Sequence, residues 1–148
     1  MAGIAAWLTP DRIAFVNELS DWKSAINKVG QPLLSEGAIK QSYIDAIISN
    51  KESIGPYFVL APYIALPHAR PEEGALSLGL SILMIKNGVN FDAEENDPVR
   101  ILFMFSAPDS DSHIEMITDL AEVLSDEERM EQILTASNKD ELCKLLIQ

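Results

Sequence analysis

A single cysteine, Cys143, is the only thiol in the 148-residue chain. That excludes an internal disulfide and a cysteine-rich zinc site, and it suits a reducing compartment. Basic side chains are also scarce. Eleven Lys and Arg stand against 23 Asp and Glu, for a net charge of -12. This deficit argues against nucleic acid or an anionic membrane surface as the main partner, and it favours docking to a surface with a basic patch. No apolar run reaches the roughly 18 to 20 residues needed to cross a bilayer. Residues 1–8 lack a basic segment followed by a long apolar one, so no signal peptide is expected. Absent too are the dinucleotide glycine fingerprint, the phosphate-binding loop, the nucleophile elbow, HExxH, CxxC and the EF-hand spacing. No repeat, low-complexity tract or linker divides the chain, which predicts one domain over residues 1–148, long enough for a substantial core.

What is present is a clear order of elements. Ile13, Phe15 and Val16 predict a short strand. A helix opens at Ser20-Asp21-Trp22-Lys23, with Trp22, Ala25, Ile26 and Val29 on one face. Gly30 and Pro32 predict a kink or a break in it. Residues 39–53 predict a second helix with a stripe of Tyr43, Ala46, Ile47 and Asn50, stopped by Gly55. Residues 76–85 alternate as a strand, and Lys86-Asn87-Gly88-Val89 reads as a tight turn into a short edge strand with Val89 and Phe91. An acidic exposed loop, 92–98, leads to the apolar run 99–105, a central strand covered on both faces. After the loop 107–111, Ser112 and Glu115 form a capping box for a helix with Ile114, Ile117, Leu120, Ala121 and Leu124 buried. Two short helices follow, starting at Ser125 and Ser137, and Cys143 reads as a small core residue of the last. The order predicts an α/β fold, a mixed sheet sandwiched between helices.

Function centres on residues 55–74. A short buried strand at 63–66 ends at Pro67-His68-Ala69-Arg70-Pro71. The two prolines keep the residues between them out of helix or strand interiors, so His68 is presented on a stiff loop beside a guanidinium. The other histidine, His113, also follows an apolar strand, at the first position of the helix its capping box predicts. Helix starts offer unpaired N–H groups to a phosphate oxygen. A neutral imidazole can attack phosphorus, and phosphoryl transfer asks mainly for positioning and charge stabilisation. Arg70 matches phosphate geometry and equally matches Glu72 or Glu73 as a surface partner. His68 also admits a purely structural reading, and Asp109, Asp111, His113 and His68 together could ligate a metal.

These residues carry a resemblance. Ile64-Ala65-Leu66-Pro67-His68-Ala69-Arg70 resembles the active-site motif of the mannitol/fructose class of enzyme IIA, from the bacterial phosphoenolpyruvate-dependent sugar phosphotransferase system. The likeness covers nearly the whole chain. Residues 55–62, 71–74 and 96–99 look most like the ascorbate-specific branch. The resemblance implies a mixed sheet flanked by helices and no cofactor or metal. It implies that His68 takes a phosphoryl group on Nε2 from the phosphohistidine of HPr and passes it to a cysteine of enzyme IIB, which serves the membrane subunit IIC. His113 matches the second histidine, which supports the phosphorylated state. A cytoplasmic location follows from the same likeness. Two departures stand out. Tyr63 occupies a position that is often glycine, and the arginine common at the end of the second helix is missing, with Lys51 the nearest basic residue. Two other readings are a regulatory module of the same fold, which docks according to its phosphorylation state, and a metal-dependent hydrolase.

Overall fold

The sheet is built around two long apolar strands that bury both faces. In the computed structural model, which describes residues 3–109 and 111–147, these are β4 (Gly79–Val89) and β5 (Val99–Ser106). They pair antiparallel at the centre of a five-stranded sheet of order β1-β4-β5-β3-β2, in which β1 is Ile13–Val16, β2 is Val59–Ala61 and β3 is Ile64–Ala65. β1 runs parallel to β4, and β3 runs parallel to β5. The sheet is therefore mixed, as the sequence predicts.

Helices cover both faces. On one side α1 (Trp22–Ser35) and α2 (Gln41–Ile54) press Ala25, Ile26, Val29, Tyr43, Ile44 and Ile47 against Leu83, Ile85, Leu102 and Met104. On the other, the turn Gly3–Trp7 and helices α3 (Ile114–Ser125), α4 (Glu127–Leu134) and α5 (Lys139–Ile147) cover Leu80, Ile82, Met84, Ile101 and Phe103. Alternate residues of β4 thus enter two different cores, and all of residues 79–85 are buried. Cys143 is half-buried against the second core, and burial pushes its thiol up.

Several local expectations are corrected. α1 continues through Pro32 to Ser35 with neither break nor stop, opened by Asp21, whose side chain accepts from the Ser24 N–H. A proline inside a helix costs about 3 kcal/mol, but here Leu33 is fully buried one residue on, and its packing holds the last turn in place. Gly30 serves the same contact. A Cβ there would lie 2.7 Å from Ile44 Cδ1, so glycine is what lets α1 and α2 approach. Leu76 is half exposed and precedes β4. Asn87-Gly88 is not a hairpin turn. β4 runs through it, Val89 pairs with Val99, and the register shifts between Met84 and Val89. Gly88, at φ +75, absorbs the irregularity where a Cβ would sit 2.7 Å from Pro98. Phe91 is buried beyond the strand end rather than in an edge strand.

Two helix faces are rotated from expectation. α2 buries Tyr43, Ile44, Ile47 and Lys51, and α3 buries Met116, Leu120 and Val123 while Ile114 is exposed. Both helices are apolar on more than one stripe, so the sheet they land on selects the face. The capping box is absent. His113 sits at the N-cap, and the Ser112 Oγ has no partner among the described residues. Asp109 caps the turn instead, its Oδ1 accepting from the N–H groups of Asp111 and Ser112. Ser110, expected in the same loop, lies outside the described residues. The acidic loop 92–98 is organised by Asp97, whose carboxylate accepts from the N–H groups of Phe91 and Ala93.

Candidate active site

β3 and β5 are adjacent and parallel, so their carboxyl ends open on the same edge of the sheet. Such an edge is where ligands bind in α/β sheets. The chain leaving β3 carries His68, and the chain leaving β5 carries His113. Both histidines line one cavity with Tyr43, Ala69, Phe105, Asp109 and Ile117. Residues 45 apart in the sequence thus face one space because of strand order alone. Among the described residues, no group of three or more His, Cys, Asp or Glu is arranged to hold a metal ion.

The His68 imidazole is held on three sides. Its Nδ1 lies 2.7 Å from the Leu66 carbonyl. A carbonyl only accepts, so Nδ1 carries a proton, and the tautomer that holds its proton there leaves the Nε2 lone pair without a hydrogen-bond partner among the described residues. Phe105 stacks on one face at 5.0 Å between centroids and 16° between planes. Tyr57 packs against the ring at 5.6 Å and 77°. The arrangement prepares one nitrogen for nucleophilic attack without a separate base.

His113 is less constrained. Its Nδ1 is buried with no hydrogen-bond partner among the described residues, as is the neighbouring Ser112 Oγ. Buried polar atoms are rarely left unpaired, so each calls for an explanation. Asp109, which lines the same cavity, has its carboxyl held below the usual range, first by the Ser112 and Asp111 N–H groups.

On its other side His68 faces a second cavity, with Asn50, Ser53, Ile54, Tyr57, Arg70 and Glu73. Arg70 is exposed, and among the described residues its guanidinium forms no ion pair; its main-chain N–H donates to the Glu73 carboxylate and its carbonyl accepts from the Glu73 N–H. Lys51 takes no part. Its Nζ bonds Asp92 at 2.9 Å and lies 4.0 Å from the Trp22 ring centroid, on the buried face of α2. The end of α2 instead gives Asn50 and Ser53 to the His68 cavity. Tyr63 has φ +74, the left-handed region that glycine adopts freely. This is the physical reason that a glycine would suit this position. Its ring points to Arg100, 5.8 Å from the guanidinium carbon.

Sequence reasoning missed the two tyrosines nearest the site. Tyr57 donates to the His68 carbonyl, and Tyr43 bridges the Phe105 carbonyl and the Ala69 N–H. Tyr43 falls on the apolar stripe of the second helix, and Tyr57 carries no site signal of its own in the sequence. Only the fold directs their hydroxyls to the loop.

The fold and the site together define a single-domain α/β protein that presents one bare imidazole nitrogen at the carboxyl edge of a mixed sheet. Comparison with known proteins gives the particular family. Residues 6–148 match the model described as "Phosphoenolpyruvate-dependent sugar phosphotransferase system, EIIA 2", and the chain belongs to that family. It is 41% identical over 134 residues to the mannitol-specific cryptic phosphotransferase enzyme IIA component of Escherichia coli (strain K12), covering 90% of each chain. It is 35% identical over 131 residues to the ascorbate-specific PTS system EIIA component of the same strain, covering 87% of this chain and 84% of that protein. Among solved structures, the mannitol-specific cryptic enzyme IIA of Escherichia coli matches with TM-score 0.92 and 38% identity over 99% of both chains. A complex of mannitol enzyme IIA with phosphorylated enzyme IIB, from Escherichia coli, matches with TM-score 0.76 and 27% identity over 94% of this chain and 96% of that one. Enzymes IIA of this family are phosphotransferases in the relay to enzyme IIB.

Proposed function

We propose that the chain is a cytoplasmic phosphocarrier that uses His68 Nε2 as its nucleophile. The observation that carries the reading is the hydrogen bond from Nδ1–H to the Leu66 carbonyl, which leaves Nε2 as the free nitrogen. The Nε2 lone pair attacks the phosphorus of the phosphohistidine on HPr. An Nε2–P bond forms, the donor's N–P bond breaks, and its electron pair returns to the donor imidazole. The His68 ring, still protonated at Nδ1, becomes cationic, and the Leu66 carbonyl stabilises that charge. A thiolate of enzyme IIB then attacks the same phosphorus, and the electrons of the Nε2–P bond return to His68. Enzyme IIC is reached only through IIB. His113 supports the phosphoryl oxygens from across the cavity that it lines together with His68. Arg70, exposed beside His68, adds positive charge from the second cavity.

The sugar proposed is L-ascorbate, supported by the likeness of residues 55–62 and 71–74 and by the ascorbate-specific relative. The mannitol-specific relative, at 41% identity, favours the competing assignment. One experiment tests both levels. The chain is incubated with phosphoenolpyruvate, enzyme I and HPr, its phosphosite is mapped under alkaline conditions, and ascorbate-type and mannitol-type IIB are then offered in parallel. One phosphate on His68 that moves faster to the ascorbate-type IIB cysteine is the expected result. Faster movement to the mannitol-type IIB would replace the sugar. A phosphate that stays on His68 with either IIB would favour the regulatory module. No phosphate, with working donors and a folded chain, would overturn the carrier reading.

A further inference from the structure

The peptide unit that follows His68 is gripped at both of its polar groups. Tyr57 Oη donates to the His68 carbonyl at 2.5 Å, and the Ala69 N–H donates to Tyr43 Oη at 3.1 Å. The C=O of residue 68 and the N–H of residue 69 belong to one planar unit, so its rotation is opposed from both sides. Both tyrosines are themselves held. Tyr43 is 1% exposed on α2, and its own proton goes to the Phe105 carbonyl at 2.7 Å. Phe105 is the residue whose ring stacks on the imidazole. Tyr57 packs edge-on against Phe58 at 5.0 Å as well as against His68.

We propose that Tyr43 and Tyr57 are positioning residues for the phosphoryl relay, whose hydroxyls clamp the His68–Ala69 peptide and so keep Nδ1 on the Leu66 carbonyl and Nε2 free. The inference rests on the carrier reading above. The Nδ1 bond spans only two residues and would let the loop swing as a unit. The tyrosines tie that loop to α2, to the chain entering β2 and to the end of β5. Burial pushes the Tyr43 phenol up to about 12 and also raises Tyr57, so both stay protonated around neutrality. Phosphoryl transfer depends mainly on positioning, and a misplacement of about 1 Å costs up to ~100-fold in rate. Loss of the clamp therefore reads in kcat and not in the KM for the donor.

The test is Tyr57→Phe, Tyr43→Phe and the double variant in the full chain, with phosphoryl transfer from phospho-HPr and the 15N spectrum of the His68 ring as readouts. Tyr57→Phe keeps the ring and guards against a folding defect in the more buried Tyr43→Phe. The expected result is a kcat about 10-fold lower for each, with KM unchanged, and a mixture of His68 tautomers in place of one. The double variant loses less than the product of the two, because both hydroxyls act on one peptide. Native kcat with the native tautomer in both single variants overturns the proposal. If the unsubstituted chain takes no phosphate on His68, the carrier reading falls, and the spectra alone decide the clamp: a mixture upholds it and an unchanged ring overturns it.

Discussion

The loops after β3 and β5 leave parallel neighbours at the same edge of the sheet, yet they are finished differently. In the His68 loop the imidazole, the next carbonyl and the next N–H all have partners, and prolines stand on both sides. In the His113 loop, Asp109 satisfies two backbone donors, while Ser112 Oγ and His113 Nδ1 are buried with no partner among the described residues. On the proposed reading, the nucleophile is oriented before any donor arrives, the supporting group is held less tightly, and rigidity is concentrated where in-line attack needs it.

The sharpest way to break this contrast is His68→Ala. Phosphorylation from phospho-HPr is expected to vanish with the fold retained, as circular dichroism would show, because the side chain sits on a loop. A mutant that is still labelled would move the nucleophile elsewhere. His113→Ala is expected to leave acceptance intact but slow transfer by about 10- to 100-fold, within the range for losing one charge-stabilising donor. Unchanged transfer rates would remove His113 from the chemistry.

Gly74→Ala attacks the scaffold behind the His68 loop. Gly74 has φ +135, and a Cβ there would lie 2.9 Å from the Tyr43 backbone nitrogen and 2.6 Å from Ser42 Oγ. A loss of about 1 to 3 kcal/mol is expected in urea titration, with slower transfer because Tyr43 is displaced. Tyr63→Gly works in the other direction. It removes a left-handed conformation that costs a non-glycine residue about 1 kcal/mol, so the chain should gain a few tenths to 1 kcal/mol after the Arg100 contact is lost. A destabilised variant would show that the Arg100 contact outweighs the strain.

The smallest effect concerns acid. The Asp109 carboxyl is held below its ordinary value of 3.8 by the Ser112 and Asp111 N–H groups. A depressed folded-state value contributes stability that is complete above the unfolded value and is lost as pH falls through the folded one. The His113 loop should therefore loosen only below about pH 4, seen as broadening of the His113 ring signals, while the His68 ring stays on Leu66. Asp109→Asn should show the loosening at neutral pH.

Much of this was legible because it is local. Pro67, His68 and Pro71 marked a stiff loop, Val99 to Phe105 read as a strand buried on both faces, and the site motif pointed to the family. The misreadings were equally local rules overruled at a distance. Pro32 did not stop α1, because Leu33 had a core to enter. Asn87-Gly88 did not turn the chain, because Val89 found Val99. Ser112 did not cap α3, because the helix begins one residue later than expected, with His113 at the N-cap.

By itself the sequence determined most of the helices and the two long central strands, which side chain is the candidate nucleophile, and the acidic charge of the chain, since periodicity, proline geometry and residue chemistry act over a few residues; β2 went unread. Only the tertiary structure decided the rest. It selected which stripe of α2 is buried, and so put Lys51 against Trp22 and turned Asn50 toward His68. It set β3 beside β5 in parallel, and so joined His68 to His113. It also brought two tyrosine hydroxyls onto one peptide. Those outcomes depend on which surfaces exclude water together, and no spacing along one strand or helix records that.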